Sequence, residues 1–182
     1  KAAKYLKKAA DQGSIEAMNN YGMMLKNGEG VSVDHEEALK YLKKSADGGY
    51  IEAMNNCGDM LKNGLGTSVD NEEACRYYKS AADQGSVDAM NNYATMCLKG
   101  TGITKDKEEA KKYFKLAADK GNVDASYNYS LLLDEGKSHK KEVMKYLKFA
   151  SEGGNIKATC LYGKKLFYGD GIPSNKREAS SY

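Results

Sequence analysis

The residues best able to carry chemistry in this chain are two histidines, four cysteines and a set of glycine-rich turns. His35 falls in the first turn of a predicted helix and His139 falls in a lysine-rich loop, so both are expected to be solvated. Neither is close in sequence to the cysteines or carboxylates that a zinc site or a hydrolytic triad requires. The histidines therefore predict no catalytic or metal site.

Three G-x-G turns are the segments that most resemble phosphate-binding loops. They are Gly28-Glu29-Gly30, Gly64-Leu65-Gly66 and Gly100-Thr101-Gly102. A dinucleotide-binding loop needs a third glycine and a strand before it, and neither is present here. The three turns instead recur at equal spacing, which is typical of structural turns, and we predict no cofactor.

The elements around these residues repeat along the chain with a period of 36 residues, which is the signature of a repeat architecture. Glycines precede one helix of each unit, at Gly13, Gly49, Gly85 and Gly121. Alanines follow four residues later, at Ala17, Ala53, Ala89 and Ala125. Further glycines close that helix, at Gly28, Gly64, Gly100 and Gly136. Tyrosines recur in the next helix, at Tyr5, Tyr41, Tyr77 and Tyr113.

Each unit is predicted to contain two short helices. The first, near residues 15–27, has an apolar stripe at helical spacing. One slot of it always holds a small residue, which would let a neighbouring helix approach closely: Gly22, Gly58, Ala94, Ser130 and Gly163. The second helix opens with an aspartate N-cap such as Asp34, and Glu37 three residues later predicts a capping box. It ends in Ala-Asp-x-Gly, with glycine in the left-handed conformation.

These motifs resemble the Sel-one-like repeat, a family related to tetratricopeptide repeats. The resemblance is carried by Ala-x-x-x-x-Gly in the first helix, by the G-x-G turn followed by Val, Thr or Ile, and by the pattern from Tyr41 to Gly49 in the second helix. It covers essentially the whole chain. It implies a right-handed all-α solenoid of stacked two-helix repeats, and the work of an adaptor or scaffold in multiprotein complexes.

The cysteines do not form a recurring pair. Cys57 occupies the slot of Tyr21, and Cys97 occupies the slot of Leu25, so both replace core residues and are expected to be buried hydrophobes. Some secreted members of the resembled family carry one disulfide in each repeat. The absence of a repeated pair favours reduced thiols and an intracellular, cytoplasmic location.

The main candidate for binding is a column of polar residues on the first helices. It consists of Asn20, Asn56, Asn92 and Asn128, flanked by Glu16, Glu52, Asp88 and Asp124. In related repeats the first helices line the concave side, where amides could bond an extended peptide backbone and the carboxylates would prefer a positively charged partner. The alternative is structural. Acidic residues in a first helical turn also complement the helix dipole, and the asparagines could simply be solvated.

A second candidate surface lies in the C-terminal stretch. Residues 137–182 contain ten Lys or Arg and four Asp or Glu, a balance of +6, against −3 for the rest. The candidate residues are Lys157, Lys164, Lys165, Phe167 and Tyr168. They would suit an acidic partner, and the alternative is a solvated cap near the end of the array.

The period shortens at one place. The step from Gly136 to Gly169 is 33 residues, and the shortened turn from Gly136 to Glu142 has no second glycine and no aspartate cap, although Ser138 could substitute. We therefore predict an irregular junction between the fourth and fifth units, where backbone amides exchange faster than in the other turns.

The sequence thus predicts one all-α, right-handed solenoid domain of about five repeats. Its segments are 1–12, a second helix of a preceding repeat, the repeats 13–48, 49–84, 85–120 and 121–153, and a partial repeat 154–182. The chain does not open with methionine, so we expect it to be a fragment of a longer protein, and a secreted or organelle-lumen location stays open.

The predicted function is a non-enzymatic scaffold, without a cofactor, that holds a partner protein or extended peptide on the concave face of the first helices. The alternative is a structural component of a large assembly, held by its edges and convex face. The net charge of +3 and only two arginines argue against nucleic acid as a partner. No apolar stretch approaches the roughly 20 residues that membrane insertion requires.

Overall fold

The protein is described by a computed structural model, which covers residues 2–135, 139–170, 175 and 179. Across these residues the chain forms ten helices and no strand. The helices are α1 (Ala2–Asp11), α2 (Ile15–Asn27), α3 (His35–Asp47), α4 (Ile51–Asn63), α5 (Asn71–Asp83), α6 (Val87–Lys99), α7 (Lys107–Asp119), α8 (Val123–Asp134), α9 (Lys140–Glu152) and α10 (Ile156–Tyr168). The predicted alternation of first helices (α2, α4, α6, α8, α10) and second helices (the odd-numbered ones) is present.

The chain divides into two compact units, residues 1–106 and residues 107–182. The first unit contains α1 to α6 and the second contains α7 to α10. Within each unit, every helix packs against the next helix in the chain. Helices of 10 to 13 residues are too short to be stable alone in water, so this packing holds them in the helical state.

The helix ends follow from polar caps and glycines. Ser14 accepts a hydrogen bond from the backbone N–H of Ala17 at the start of α2, and Asp34 accepts one from the N–H of Glu37 at the start of α3. Gly28 ends α2 in the left-handed conformation, with φ of 75°. Each cap satisfies backbone groups that a helix end leaves without an internal partner.

The predicted capping box does not close. The N–H of Asp34 donates to the carbonyl oxygen of Leu25 at 3.0 Å, and the N–H of Asp70 donates to that of Leu61 at 3.0 Å. The capping residue's N–H is therefore already used to tie the second helix to the first, and the glutamate cannot bond it. Glu73 instead accepts hydrogen bonds from the Lys43 ammonium of the preceding repeat, at 2.9 and 3.0 Å.

The second glycine of the G-x-G turn marks a contact between repeats. A Cβ atom on Gly66 would lie 2.2 Å from the carbonyl oxygen of His35, which begins the second helix of the preceding repeat. Gly66 also has φ of +75°, a conformation that other residues rarely adopt. The structure therefore confirms that this turn has a structural role, which is to pack one repeat against the next.

The small-residue slot of the first helix is a close helix contact, as predicted. A Cβ atom on Gly22 would lie 2.9 Å from Cγ of Leu42, and one on Gly58 would lie 2.6 Å from Cε1 of Tyr78. Tyr78 is fully buried, and its hydroxyl donates to Asp59 at 2.6 Å. The Tyr78 ring is thus fixed over Gly58 by its own backbone and by the hydrogen bond of its hydroxyl, and it has little freedom to move aside.

We predict that Gly58→Leu destabilises the protein by at least about 3 kcal/mol, because the new side chain must displace a hydrogen-bonded ring in a packed core. The midpoint of urea unfolding is the measurement. Lys62→Leu, at an exposed position of the same helix, is the control and should change stability by less than about 0.5 kcal/mol. Equal midpoints for the two variants would contradict the close contact.

Candidate functional site

In the first unit the asparagine column is built from pairs of neighbouring residues. Asn56 Nδ2 donates to Asn19 Oδ1 at 3.1 Å, and Asn92 Nδ2 donates to Asn55 Oδ1 at 3.1 Å. Each bond joins one first helix to the first helix of the preceding repeat. The column therefore links repeats to one another, and part of its donor capacity is used inside the protein.

Exposure differs along this column. Asn19 is buried, with 4% of its surface exposed, and its amide donates to Asn20 Oδ1 at 3.3 Å. Asn20 is exposed, whereas Asn56 and Asn92 are half-buried. Asn128, in the second unit, is also half-buried. In the first unit the outward part of the column thus consists of the exposed Asn20 and of two half-buried amides, Asn56 and Asn92, that bonds to the preceding repeat hold in place.

Carboxylates lie one helical turn before these amides. Glu16, Glu52 and Asp88 are exposed in the first unit. Glu52 accepts a hydrogen bond from the hydroxyl of Tyr50 at 3.3 Å. In the second unit, Asp124 is exposed and accepts one from the Asn155 amide at 2.8 Å. The first-helix face of the first unit therefore combines amides with negative charge.

The recurring tyrosine and the aspartate of Ala-Asp-x-Gly meet across repeat junctions. Between α1 and α3, the Tyr41 hydroxyl donates to Asp11 at 2.7 Å and accepts from the Lys7 ammonium at 2.9 Å. The same ammonium lies 5.4 Å from the ring centroid of Tyr21 and 5.3 Å from that of Tyr41, within the range of cation–π attraction. These residues contact one partly exposed lysine ammonium, since the Lys7 side chain is 45% exposed.

The junction between α7 and α9 repeats this arrangement. The Tyr146 hydroxyl donates to Asp119 at 2.5 Å, and the Lys115 ammonium donates to the same carboxylate at 2.7 Å. Tyr129 and Tyr146 pack edge to face, with ring centroids 4.9 Å apart. The Lys115 ammonium and the Tyr146 hydroxyl hold the pKa of Asp119 below its ordinary value. The sequence pattern contains the recurring tyrosine and the aspartate of Ala-Asp-x-Gly but does not indicate that they meet, because the partners are about 30 residues apart.

The proposed basic and aromatic surface in the second unit is only partly exposed. Lys157 and Lys164 are exposed on α10, and Phe167 and Tyr168 are 46% and 78% exposed. The expectation that Lys165 belongs to this exposed surface is wrong. Lys165 is 8% exposed, and its ammonium donates to Asp134 at 3.0 Å and to Asp170 at 2.7 Å. Burial opposes its charge, but these two carboxylates outweigh burial and raise the pKa of Lys165.

Two of the cysteines, Cys57 and Cys97, are buried as the sequence predicts. Cys57 and Cys97 are fully buried and Cys75 is 3% exposed, whereas Cys160 is exposed. Burial raises the pKa of Cys57 to about 12 and that of Cys75 to about 11, so neither supplies a thiolate nucleophile at neutral pH.

The shortened turn lies largely outside the described residues, which omit 136–138. On its two sides, α8 ends at Asp134 without a glycine cap, and α9 begins with His139 at a capping position that makes no side-chain cap bond. Faster amide exchange in this turn stays a prediction.

The described part of the chain has neither a metal-binding cluster nor a membrane-spanning helix. It contains no group of three or more His, Cys, Asp or Glu side chains able to hold a metal ion. None of its helices has both the length and the apolar character needed to span a bilayer.

We predict that Asn56→Ala destabilises the first unit by about 1–2 kcal/mol, because it leaves the buried Asn19 carbonyl oxygen without its donor. Urea unfolding of Asn19→Ala, Asn56→Ala and the double variant should give a coupling energy of at least about 0.5 kcal/mol. Lys62→Ala, on the same helix as Asn56, serves as the control. Additive effects would show that the bond contributes no stability.

The depressed pKa of Asp119 predicts a pH-dependent contribution to stability. A carboxyl group whose pKa is lower in the folded state stabilises the fold above its unfolded pKa, and that contribution is lost as pH falls through the folded value. Asp119→Asn should therefore cost on the order of 1 kcal/mol at neutral pH and clearly less at about pH 3, below the ordinary aspartate pKa.

Urea unfolding at the two pH values tests this, with Asp47→Asn as the matched control. Asp47 holds the same slot, but its carboxylate makes no hydrogen bond or ion pair with any described residue. A cost for Asp119→Asn that does not change with pH would contradict the prediction.

Comparison with solved structures gives proteins of the same architecture. The crystal structure of a Sel1 repeat protein from Oxalobacter formigenes is 26% identical with a TM-score of 0.86, over 99% of this chain and 73% of that chain. Cysteine rich protein B of Helicobacter pylori is 25% identical with a TM-score of 0.55, over 69% of this chain and 95% of that chain. A protective antigen of uropathogenic Escherichia coli that displays an SLR fold is 24% identical with a TM-score of 0.55 over 99% of this chain, which spans about half (47%) of that protein. No curated protein matches the chain significantly.

The family model of the Sel1 repeat matches residues 1–14, 15–50, 51–86, 87–122 and 156–180. The matched ranges pass over residues 123–155, which contain the shortened turn. Proteins built from Sel1 repeats are generally protein-interaction scaffolds and are typically not enzymes. The period, the helix order and these matches agree, and the chain belongs to the Sel1 repeat family, with its all-α solenoid fold.

Proposed function

We propose that this chain is a scaffold that holds a partner protein, or an extended segment of one, against its first-helix face. The observation that carries the proposal is the row of half-buried amides at Asn56 and Asn92 beside exposed carboxylates. Amides can both donate and accept, and an extended peptide presents both kinds of group along its backbone.

The inter-repeat bonds support this function by holding the column in place. Because Asn56 and Asn92 are each bonded to the preceding repeat, their side chains lose little rotamer freedom when a partner binds. Reducing this entropy loss is the general advantage of a preorganised site. The same bonds limit how many hydrogen bonds the site can offer, since an amide N–H that already bonds the preceding repeat is not available to a partner.

Charge indicates the kind of partner. Glu16, Glu52 and Asp88 are exposed on this face, and they would attract a segment that carries Lys or Arg. Charged rims mainly control the association rate and the choice of partner. We therefore propose a partner whose bound segment is extended and positively charged.

The alternative is a structural component held through its edges and its second-helix face. It is favoured by the hydrogen bonds that Asn56 and Asn92 of the asparagine column make inside the protein. A column whose only role is to join repeats does not require a partner protein. The two functions differ in which face loses binding when its charge is reversed.

A matched pair of double variants tests the proposal. The immobilised chain captures partners, mass spectrometry identifies them, and their affinities are then measured for Glu16→Lys with Glu52→Lys and for Glu36→Lys with Glu72→Lys. All four residues are exposed, and both pairs change the net charge equally. We expect affinity to fall by about tenfold or more for the first pair and to stay nearly constant for the second. The opposite pattern would support the structural alternative and overturn the proposal.

A further inference from the structure

The junction between α3 and α5 contains a cavity with both polar and apolar walls that the sequence does not predict. It has a volume of about 330 Å³, and its walls include Ala46, Asp47, Met54, Arg76 and Tyr77. It lies between the second helices α3 and α5, with Met54 of the first helix α4 on one wall. None of the amides of the asparagine column lines it.

The matching junctions show which groups bind the corresponding aspartate and tyrosine. Between α1 and α3, the Lys7 ammonium bonds the Tyr41 hydroxyl and lies 3.7 Å from both Asp11 and Glu37. Between α7 and α9, the Lys115 ammonium bonds Asp119. In both cases the aspartate that ends one second helix and the tyrosine of the next are bonded to each other, and a lysine of the same chain supplies positive charge.

At the α3–α5 junction the corresponding lysine is used elsewhere. The Lys43 ammonium donates to both carboxylate oxygens of Glu73, at 2.9 and 3.0 Å. Neither the Asp47 carboxylate nor the Tyr77 hydroxyl makes a hydrogen bond or an ion pair with any described residue. Asp47 and Tyr77, whose counterparts in the matching junctions lie beside a lysine ammonium, therefore border an open cavity here.

The slot of Cys57 distinguishes this junction from the matching ones. The matching junctions have Tyr21 or Tyr129 there, and each of those rings packs edge to face on the tyrosine of the second helix, with centroids 5.0 and 4.9 Å apart. A buried thiol at Cys57 is much smaller and presents no ring, so it gives Tyr77 no aromatic partner and Lys43 no aromatic face. The cation–π contact of Lys7 with Tyr21 therefore has no counterpart here, and Lys43 pairs with Glu73 instead.

We propose that this cavity is a binding site for a lysine or arginine side chain of a partner protein. The charged end would bond Asp47 and the Tyr77 hydroxyl and lie near the Tyr77 ring, while its aliphatic stem would contact Ala46 and Met54. It would thus take the position that Lys7 takes in the α1–α3 junction. This site is additional to the first-helix face and does not depend on that face binding anything.

The positive charge of Arg76 at the rim is compatible with this occupant. In the α7–α9 junction the matching residue, Lys145, borders the corresponding cavity and lies 5.3 Å from the Tyr146 ring centroid. Asp119 nevertheless holds the Lys115 ammonium there. A cation in this slot therefore does not prevent the aspartate from binding a second one.

The test uses small probes and the whole chain. Backbone amide resonances of the isotopically labelled protein are followed by NMR during titration with N-acetyl-lysine methylamide, with N-acetyl-arginine methylamide, and with the uncharged N-acetyl-norleucine methylamide. We expect the two cationic probes to shift resonances of residues 46–48 and 76–80 saturably, in the millimolar range. The norleucine probe should have no such effect. Equal responses to all three probes, or no saturable response at these residues, would overturn the proposal.

Two variants establish which groups bind the probe. Asp47→Asn should weaken binding of the cationic probes about tenfold, because it removes a charge-assisted hydrogen bond. Glu16→Gln, which removes a carboxylate from the first-helix face, should leave probe binding unchanged. Cys57→Tyr should also weaken binding, since it restores the ring present in the matching junctions. Unchanged binding in a folded Asp47→Asn variant would overturn the proposal whatever the outcome at the first-helix face.

Discussion

The close approach of the first helix to the second helix of its repeat depends on a glycine-sized residue facing a large one. Gly22 meets Leu42 and Gly58 meets Tyr78 at distances that leave no room for a Cβ atom. Packing at this density is what lets helices of about three turns bury enough apolar surface to stay folded. The cap geometry follows from it, because the N–H of Asp34 reaches the carbonyl oxygen of Leu25 only when the two helices lie this close.

Once the hairpins stack, a side chain placed once per repeat acquires a fixed neighbour in the next repeat. The Asn56–Asn19 bond joins first helices, and the Tyr41–Asp11 bond joins second helices. Buried polar groups require partners. The repeat supplies the asparagine partner at the successive α2–α4 and α4–α6 junctions and the aspartate partner at the α1–α3 and α7–α9 junctions. These bonds favour one register of stacking over displaced ones, since a displaced register would leave buried amides unpaired. We regard this as the reason why polar residues occur inside an interface formed largely of alanine, leucine and tyrosine.

The departures from the repeat are the places where this chain acquires properties of its own. Where Cys57 takes a tyrosine slot, the side chains of Asp47 and Tyr77 border a cavity without a hydrogen-bond partner among the described residues. Lys165 in a methionine slot buries a cation between Asp134 and Asp170. The second change lies in the unit with the shortened turn. A buried lysine with two carboxylate partners can tie the end of α8 to the residues after α10. One departure thus exposes polar groups to a ligand, whereas the other satisfies polar groups internally.

The sequence by itself determined the helices, the period of 36 residues and the buried slots. Those features are set by residues close together in the chain, such as the cap at Ser14, the stop at Gly28 and the stripe from Ala17 to Leu25, and by their repetition. The tertiary structure decided which polar groups meet. Asn56 with Asn19, Tyr146 with Asp119 and Lys165 with Asp134 are separated by 27 to 37 residues, and an amphipathic pattern does not specify such pairs. It also decided that the capping glutamate bonds the preceding repeat, because the N–H it was predicted to accept from is already bonded to the first helix. Local sequence fixes where a helix starts and which face is apolar, whereas side-chain partners depend on distances that exist only after the repeats have stacked.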